Sequence, residues 1–571
     1  MKNIHYFRKE LDYLHKMREI FVNKYPKLAP FLSHNSNDPD VERIIESLAL
    51  LTSKIHEELD GNIPLIAESL INILAPNYTN SLPSMCIQDF ALKPESKECK
   101  VFIPRHTSLK STPINQVQCE FKTIYDVCLH PLKISDMSLT NEGKQSVFCL
   151  DIVSTNKFFK IADMDIHFLQ IYLGSEVYSA NTLLLWLLCY LQEIVIVCAD
   201  TLTSFKIPCD SLETTGFDKN ESMFSNGDVG FSAFTLLQEL LFLPEKFAFV
   251  RIKNLEILKE CQSEKMTFKF IFKKELPKDT LPKANQFSLF STPIVNLFST
   301  QTEPILTDHT RNGYRIFIDR AHLNAYSVIQ VLKVKAHNSD SGRRILKNYN
   351  SFERFEFVDK GNDFYAISNK QDANGEHYKE ISIYSNQSRR ETLSIDVLCS
   401  NNNLPNGLQI GSINEIVGYQ DVLTRNLMLP TKSQHRSIDN ATLWDFIATL
   451  SFNYQSITHK ESFLALLHTY SFNIDKPKNL YEIISESLQK IESKPAYNVN
   501  GFITLRGMQI TLYIDDSKFY CLGEAYKIGL VLAHFFSSFV SINSFCEVSL
   551  CCTTSNTSFS YSIIYGNKAL L

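Results

Sequence analysis

Residues Phe234–Phe247 read FTLLQELLFLPEKF. Leu236, Leu237, Leu240 and Leu241 recur at the spacing of one helical face, with Gln238 and Glu239 opposite, so the stretch predicts an amphipathic helix. Pro244 predicts its end, because a proline has no N–H to donate and its ring collides with the preceding turn. Residues 246–252 (KFAFVRI), rich in Phe, Val and Ile, predict a strand. A helix stopped hard and turned into a strand makes a stiff corner. It holds no nucleophile and no metal-ligating pattern, so packed core is its simplest reading.

The composition frames what surrounds that corner. A chain of 571 residues exceeds a single core, and ~150 residues per domain predicts three or four domains. With 44% hydrophobic and 21% charged residues, its composition is that of a globular protein. The 40 Phe and 24 Tyr supply large apolar area suited to cores and to subunit contacts alike. A net charge of −5 without a long basic run argues against nucleic acid as the main partner. The N-terminus, MKNIHYFRKELDYL, lacks the apolar region of a secretory signal. Fourteen Cys are scattered singly apart from Cys551-Cys552, with no C-x-x-C spacing. That pattern predicts reduced thiols in a cytoplasmic protein, and neither a zinc ribbon nor a thioredoxin-type site.

Residues 182–199 (TLLLWLLCYLQEIVIVCA) resemble a membrane span in hydropathy, but Gln192 and Glu193 fall near the middle. A charged centre costs ~2.5–3.5 kcal/mol on insertion scales. The segment is therefore read as a buried helix to Tyr190 followed by a strand at 194–198, with no membrane insertion.

Along the chain, the first eighty residues predict helices. Phe7, Leu11, Leu14, Met17 and Phe21 form one apolar stripe, and Pro26 ends that helix. A second helix has Asp38 as N-cap and Pro39 at its first position. Val41, Ile44, Ile45, Leu48, Leu51, Ile55 and Leu59 form its core face, and Gly61 closes it. Pro64 opens a third. These amphipathic faces suit packing on one another or on a partner.

From Met85 to about Ser175, strand-like runs at 101–103, 121–125 and 148–153 alternate with polar turns, predicting antiparallel β-structure. Residues 287–304 predict extended chain with turns at Pro293 and Pro304. Further strands are predicted at 314–318, 326–334, 352–357, 364–367, 380–384 and 393–399, with turns at 338–344 and 400–405. Residues 402–440 are polar and loop-rich, a plausible boundary. Helices follow at 443–451, 463–470 and 480–491. Met508, Ile510, Leu512 and Ile514 alternate with polar residues as a half-buried strand, and Ala525, Ile528, Val531, Leu532, Phe535 and Phe539 form a helix before a last alternating strand.

The search for chemistry finds no P-loop, dinucleotide fingerprint, H-E-x-x-H, G-x-S-x-G or EF-hand loop. The fifteen His are dispersed. Asp163/Asp165 and Asp38/Asp40 form D-x-D pairs, better read as turn or cap carboxylates than as a Mg²⁺ site. Cys551 and Cys552 are read as alternating across a strand. Glu239 and Glu245 flank the helix stop, one expected solvated and the other capping or bridging to a partner. These observations predict no catalytic residue, cofactor or metal.

Gly216-Phe217 with the corner resembles the block GF…LLQEYFAFPEKFLFF of the TssF family (also called ImpG or VasA), baseplate subunits of the bacterial type VI secretion system; Leu240 and Leu241 replace the family's usual Tyr and Phe. Further blocks are similar: YFRKELDYL, KYPKLA, DPDVERIIESLALLTSKI and LAPNYTNSLPSM near the N-terminus, FSLFSTPIVNLFSTQTEP at 287–304, and Arg506-Gly507 with FVSINSF at 539–545. SNNNLP at 400–405 resembles TNRDLP without its charged pair. The ending YSIIYGNKALL departs from the family's WPPR.G…ALL, so no contact of that Trp or Arg is carried over.

The resemblance implies a structural wedge subunit rather than an enzyme. It would act with TssG, further TssF copies, TssK and TssE around the VgrG spike. It would help to initiate the TssB–TssC sheath for effector delivery, and would dock at the inner membrane through the assembled baseplate. The alternatives are a wedge of another phage-tail-like contractile particle, or an enzyme whose site forms only in three dimensions. The expected fold is α+β and multidomain: a helical region at 1–84, a mixed domain with the corner at 85–285, a mostly β domain at 286–430, and a C-terminal module with a strand–helix–strand unit at 431–571. Residues singled out as a possible partner interface are Phe7, Leu11, Leu14, Met17, Glu239, Glu245, Gly523, Tyr565, Leu570 and Leu571.

Overall fold

The computed structural model describes residues 2–25, 40, 42–55, 71, 80–142, 145–156, 158–200, 203–224, 232–280, 287–308, 310–338, 342–348, 363–371, 377–384, 390–434, 457–471, 479–500 and 503–566. Two compact units divide the chain: residues 1–74 with 437–450, and residues 75–436 with 451–571.

In the first unit, Lys2–Lys24 is one helix, and residues 42–55 are helical. Phe7, Leu11 and Leu14 are half-buried as the stripe predicts, whereas Met17 and Phe21 are exposed, with Tyr13 and Ile20 beside them. The buried guanidinium of Arg18 is ion-paired with Glu42. The expected core face of residues 42–55 is corrected. Ala49 and Ser53 are buried, while Ile44, Leu48, Leu51 and Ile55 lie open. Periodicity shows which residues share a face and leaves open what covers it. Asp38, Pro39, Val41, Leu59, the helix expected after Pro64 apart from the helical, buried Ile71, the helix expected at 443–451 and the strand expected at 352–357 fall outside the described residues.

The second unit is built on mostly antiparallel sheets. One has six strands in the order Ile413–Ile416, Ser108–Ser111, Glu120–Thr123, Ser291–Val295, Met85–Leu92 and Val422–Asn426. It draws strands from both sides of the boundary expected near 286. A five-stranded sheet holds Ser204–Ile207, Leu191–Cys198, Lys265–Phe272, Gln145–Ser154 and Leu132–Glu142. Lys265–Phe272 at its centre alternates half-buried and buried residues, as the two-residue period of a strand requires. The apolar run at 182–199 divides as read: helix Val177–Leu185, a π-helical turn Trp186–Tyr190, and strand Leu191–Cys198, which starts three residues earlier than expected. Among the described residues no helix is long and apolar enough to cross a membrane.

An eight-stranded sheet spans residues 298–400 and encloses a core of Phe298, Ile316, Val334, Ile381, Leu393 and Val397. Of the strand expected at 314–318 only Tyr314–Arg315 is regular strand, and the strands around 338–344 run further into that turn than expected. In the C-terminal module, helices Lys460–Tyr470 and Leu480–Ser487 precede the sheet. The second was expected to reach Ile491. Instead Leu488–Asn500 is a strand, paired along its length with Ile503–Ile514. Ile503–Ile514 then runs parallel to Phe545–Cys552, with helix Leu522–Ser537 as the crossover, the strand–helix–strand unit predicted.

The all-reduced cysteine reading is also corrected: Cys198 and Cys261 form a disulfide, both sulfurs buried. They lie 63 residues apart in sequence. What brings them together is sheet register, since Cys198 ends a strand beside Met266 at the start of the next. Isolated spacing carries no such information.

Candidate functional site

Ser232–Phe242 forms the corner helix, and Pro244–Phe247 a tight 3₁₀ turn led by the proline. The strand begins only at Phe249 rather than at Lys246, because the turn uses Lys246 and Phe247. The helix is not amphipathic in its setting: Gln238 and Glu239, expected on a solvent face, are 2% and 0% exposed. Seven residues and one helix stop separate Glu239 from Lys246, whose side chain is also fully buried, and the two are ion-paired. The other carboxylate oxygen of Glu239 accepts from the Met223 backbone N–H at 2.6 Å and from the Ser222 hydroxyl at 3.1 Å. A buried pair survives only when its remaining hydrogen-bonding capacity is met in this way.

The chain before the helix is tied to the same point. Gly216 adopts φ +100°, and a side chain there would lie 2.8 Å from the Tyr125 hydroxyl. That hydroxyl in turn donates to the Lys246 carbonyl at 3.3 Å. Phe217 packs on Phe247 with ring centroids 5.2 Å apart, and stacks on His534 of the C-terminal helix at 4.0 Å. Burial pushes the His534 imidazole down to about 4. Leu240, Phe247 and Val531 complete a shared core, and Phe535, fully buried, meets Phe234 and Phe463 at 6.4 and 6.0 Å. The Gly-Phe and Leu-Pro-Glu-Lys-Phe signals thus form one internal lock between corner and C-terminal helix. Its parts are packing and hydrogen-bonding groups.

The remaining interface candidates divide by burial. Glu239 is wholly internal. Glu245 is half-buried on the turn. Gly523 is buried where the C-terminal helix passes so close to Val177–Leu185 that a Cβ would collide with the Asn181 backbone. Tyr565 is 46% exposed, next to an exposed Ile563. Leu570 and Leu571 lie outside the described residues. In the first unit, Phe7, Leu11 and Leu14 are half-buried and Met17 is open. The sequence reading missed the open faces around them: Tyr13, Ile20 and Phe21 on the first helix, and Ile44, Leu48 and Leu51 on the second. The signal was present in the apolar stripes, which were assigned to core in one case.

Three-dimensional convergence creates little that resembles catalysis. Among the described residues no group of three or more His, Cys, Asp or Glu is arranged to hold a metal ion. Asp163 accepts from the Lys160 backbone N–H at 3.0 Å as a turn cap, and Asp165 pairs with Lys259 at 2.9 Å and His167 at 3.2 Å. Asp40 pairs with Arg43 at 3.4 Å. Cys551 is half-buried and Cys552 buried, alternating across their strand as read. Cys128 and His130 do meet, sulfur to Nε2 at 3.5 Å. Burial raises the thiol and lowers the imidazole to about 4, so both stand neutral, the opposite of an activated thiolate–imidazolium pair.

Comparison with known proteins agrees with this picture. The chain is 25% identical over 596 residues to the type VI secretion system component TssF1 of Pseudomonas aeruginosa, covering 96% of each protein. Its fold matches a chain of a type VI secretion TssK–TssF–TssG baseplate subcomplex solved by cryo-electron microscopy, with a TM-score of 0.80 at 20% identity over 91% of this chain and 98% of that one. A chain of a type VI secretion baseplate complex matches at TM-score 0.62 and 19% identity over the full length of both. The sequence also matches the family described as type VI secretion system, TssF, over residues 2–562, and the chain therefore belongs to the TssF family.

Proposed function

We propose that this chain is a structural baseplate subunit of a type VI secretion system, acting through assembly rather than bond chemistry. The observation that carries the reading is family membership along almost the whole chain. An interior in which the family-like blocks serve as packing supports it. TssG and TssK are the proposed direct partners, because proteins of those names share the subcomplex with the matched chain. TssE, further TssF copies, the VgrG spike and the TssB–TssC sheath are proposed neighbours in a wedge docked at the inner membrane through the baseplate.

Docking is assigned to the open apolar faces of the first unit. Met17, Ile20 and Phe21 on one helix, and Ile44, Leu48 and Leu51 on the other, are 43–67% exposed. Large apolar side chains left open in series mark an interaction surface. The test is co-purification of the tagged full chain with the TssG-like and TssK-like proteins of the same organism. Wild type retains both. Leu48→Glu with Leu51→Glu loses TssG while keeping the wild-type melting temperature. A wild-type chain that elutes alone in the presence of both partners overturns the assembly role, and a double variant that still binds both overturns the assigned surface.

A further inference from the structure

Where the corner turn, helix Val177–Leu185 and helix Leu522–Ser537 meet, they leave a cavity of about 40 Å³. Lys527, Glu245, Glu524 and Glu176 line it. Two of these carboxylates are already engaged: Glu524 accepts from the Tyr520 backbone N–H at 3.0 Å, and Glu176 accepts from the Ser179 hydroxyl. Lys527 is 6% exposed. Among the described residues no acceptor lies within hydrogen-bond or ion-pair distance of its Nζ, and no donor within that distance of the Glu245 carboxylate. Glu245 and Glu524 nevertheless attract the ammonium across the gap, against the cost of burying it.

We infer that the cavity is a built water site, in which ordered water accepts from Lys527 and donates to Glu245, joining the corner to the C-terminal helix by a hydrated ion pair. An ammonium withdrawn from bulk water with no protein acceptor is costly, and the cavity beside it, largely apolar but bordered by the carboxylates of Glu245, Glu524 and Glu176, supplies that acceptor as solvent. A water needs about 10–15 Å³ of such volume, so the space holds about three or four molecules. Water meets both needs because it donates and accepts, whereas a small anion would face three carboxylates. The bridge gives Glu245 an internal role, independent of any assembly partner. It also differs from the dry pair that Lys246 makes with Glu239: a hydrated contact can lengthen or re-form without stranding a charge, so the adjacent residues Glu245 and Lys246 of the turn are held one adjustably and one rigidly.

Two measurements on the full chain test this. A structure at a resolution that shows solvent places density 2.6–3.2 Å from both Lys527 Nζ and a Glu245 carboxylate oxygen, about the ordinary hydrogen-bond range. A dry cavity, or Lys527 turned to bond Glu245 directly, overturns the proposal. The second is a cycle of Lys527→Met, Glu245→Gln and the double variant, read by chemical denaturation. Water-mediated coupling makes the double variant's unfolding constant at least about tenfold closer to wild type than the product of the single effects. Additive effects overturn the bridge even if every variant folds.

Discussion

The ion pair of Glu239 and Lys246 offers a direct experiment on what holds the corner. Both side chains are 0% exposed, so neither charge has solvent to fall back on. Lys246→Met keeps most of the buried stem and removes only the ammonium. It leaves a buried carboxylate supported by the Met223 N–H and the Ser222 hydroxyl alone. Removing one partner of a buried pair costs about 3–5 kcal/mol, and the remaining hydrogen bonds place this variant toward the lower end. Glu239→Gln keeps an acceptor for the Met223 N–H but strands the ammonium, and belongs toward the upper end. With both changes no charge is buried. The double variant should recover about a third of the summed loss, a coupling of about 2–3 kcal/mol. Circular dichroism and urea denaturation of the four proteins supply the numbers. Single variants within about 1 kcal/mol of wild type, or strictly additive losses, would show that the corner is held by apolar packing and that the pair is incidental.

Phe535→Ala opens a cavity among Phe234, Phe463 and Phe539 and should cost about 3–5 kcal/mol; an unchanged melting point with lost partner binding would mean that the helix faces outward. A thiol titration in denaturant without reductant should find twelve free thiols, and fourteen after reduction. Reducing the 63-residue link should cost about 4 kcal/mol in the loop-entropy account, and a count of fourteen before reduction refutes the pairing. His534 is held down to about 4, below the usual histidine value, so the unfolded chain binds its proton first as pH falls. Stability should therefore be intact above pH ~6.5 and decline toward pH 4, by about 2 kcal/mol at pH 5 from this residue, and His534→Gln should flatten that slope.

The sequence disclosed those features that depend on near neighbours. Strand alternation in Lys265–Phe272, the divided apolar run at 182–199 and the crossover helix before Phe545–Cys552 are all periodic signals, and periodicity is a local property of the backbone. Family-like blocks around Gly216-Phe217 and the corner carried the identification. What they do physically was hidden, because it depends on contacts between distant segments. Glu239 reads as solvent-facing on a helical wheel, and only the turn at Pro244 brings Lys246 back to it. Leu480–Ile491 has helical spacing, yet strand pairing with Ile503–Ile514 takes over at Leu488.

The same distinction explains the first unit, where the spacing of Ile44, Leu48, Leu51 and Ile55 was legible and their exposure was not. An apolar stripe records that burial is favourable, at about 25 cal/mol per Å² removed from water, without recording whose surface does the covering. In a monomeric enzyme such a stripe would have to close on its own chain. Here two neighbouring stretches of helix leave it open, whereas the corner, built from a more hydrophobic sequence, buries even the charges of Glu239 and Lys246. The lock of Phe217, Phe247 and His534 is closed by the chain's own packing. If docking falls on the first unit as proposed, Leu48→Glu should disturb the assembly and leave the fold intact, whereas Phe535→Ala should disturb the fold.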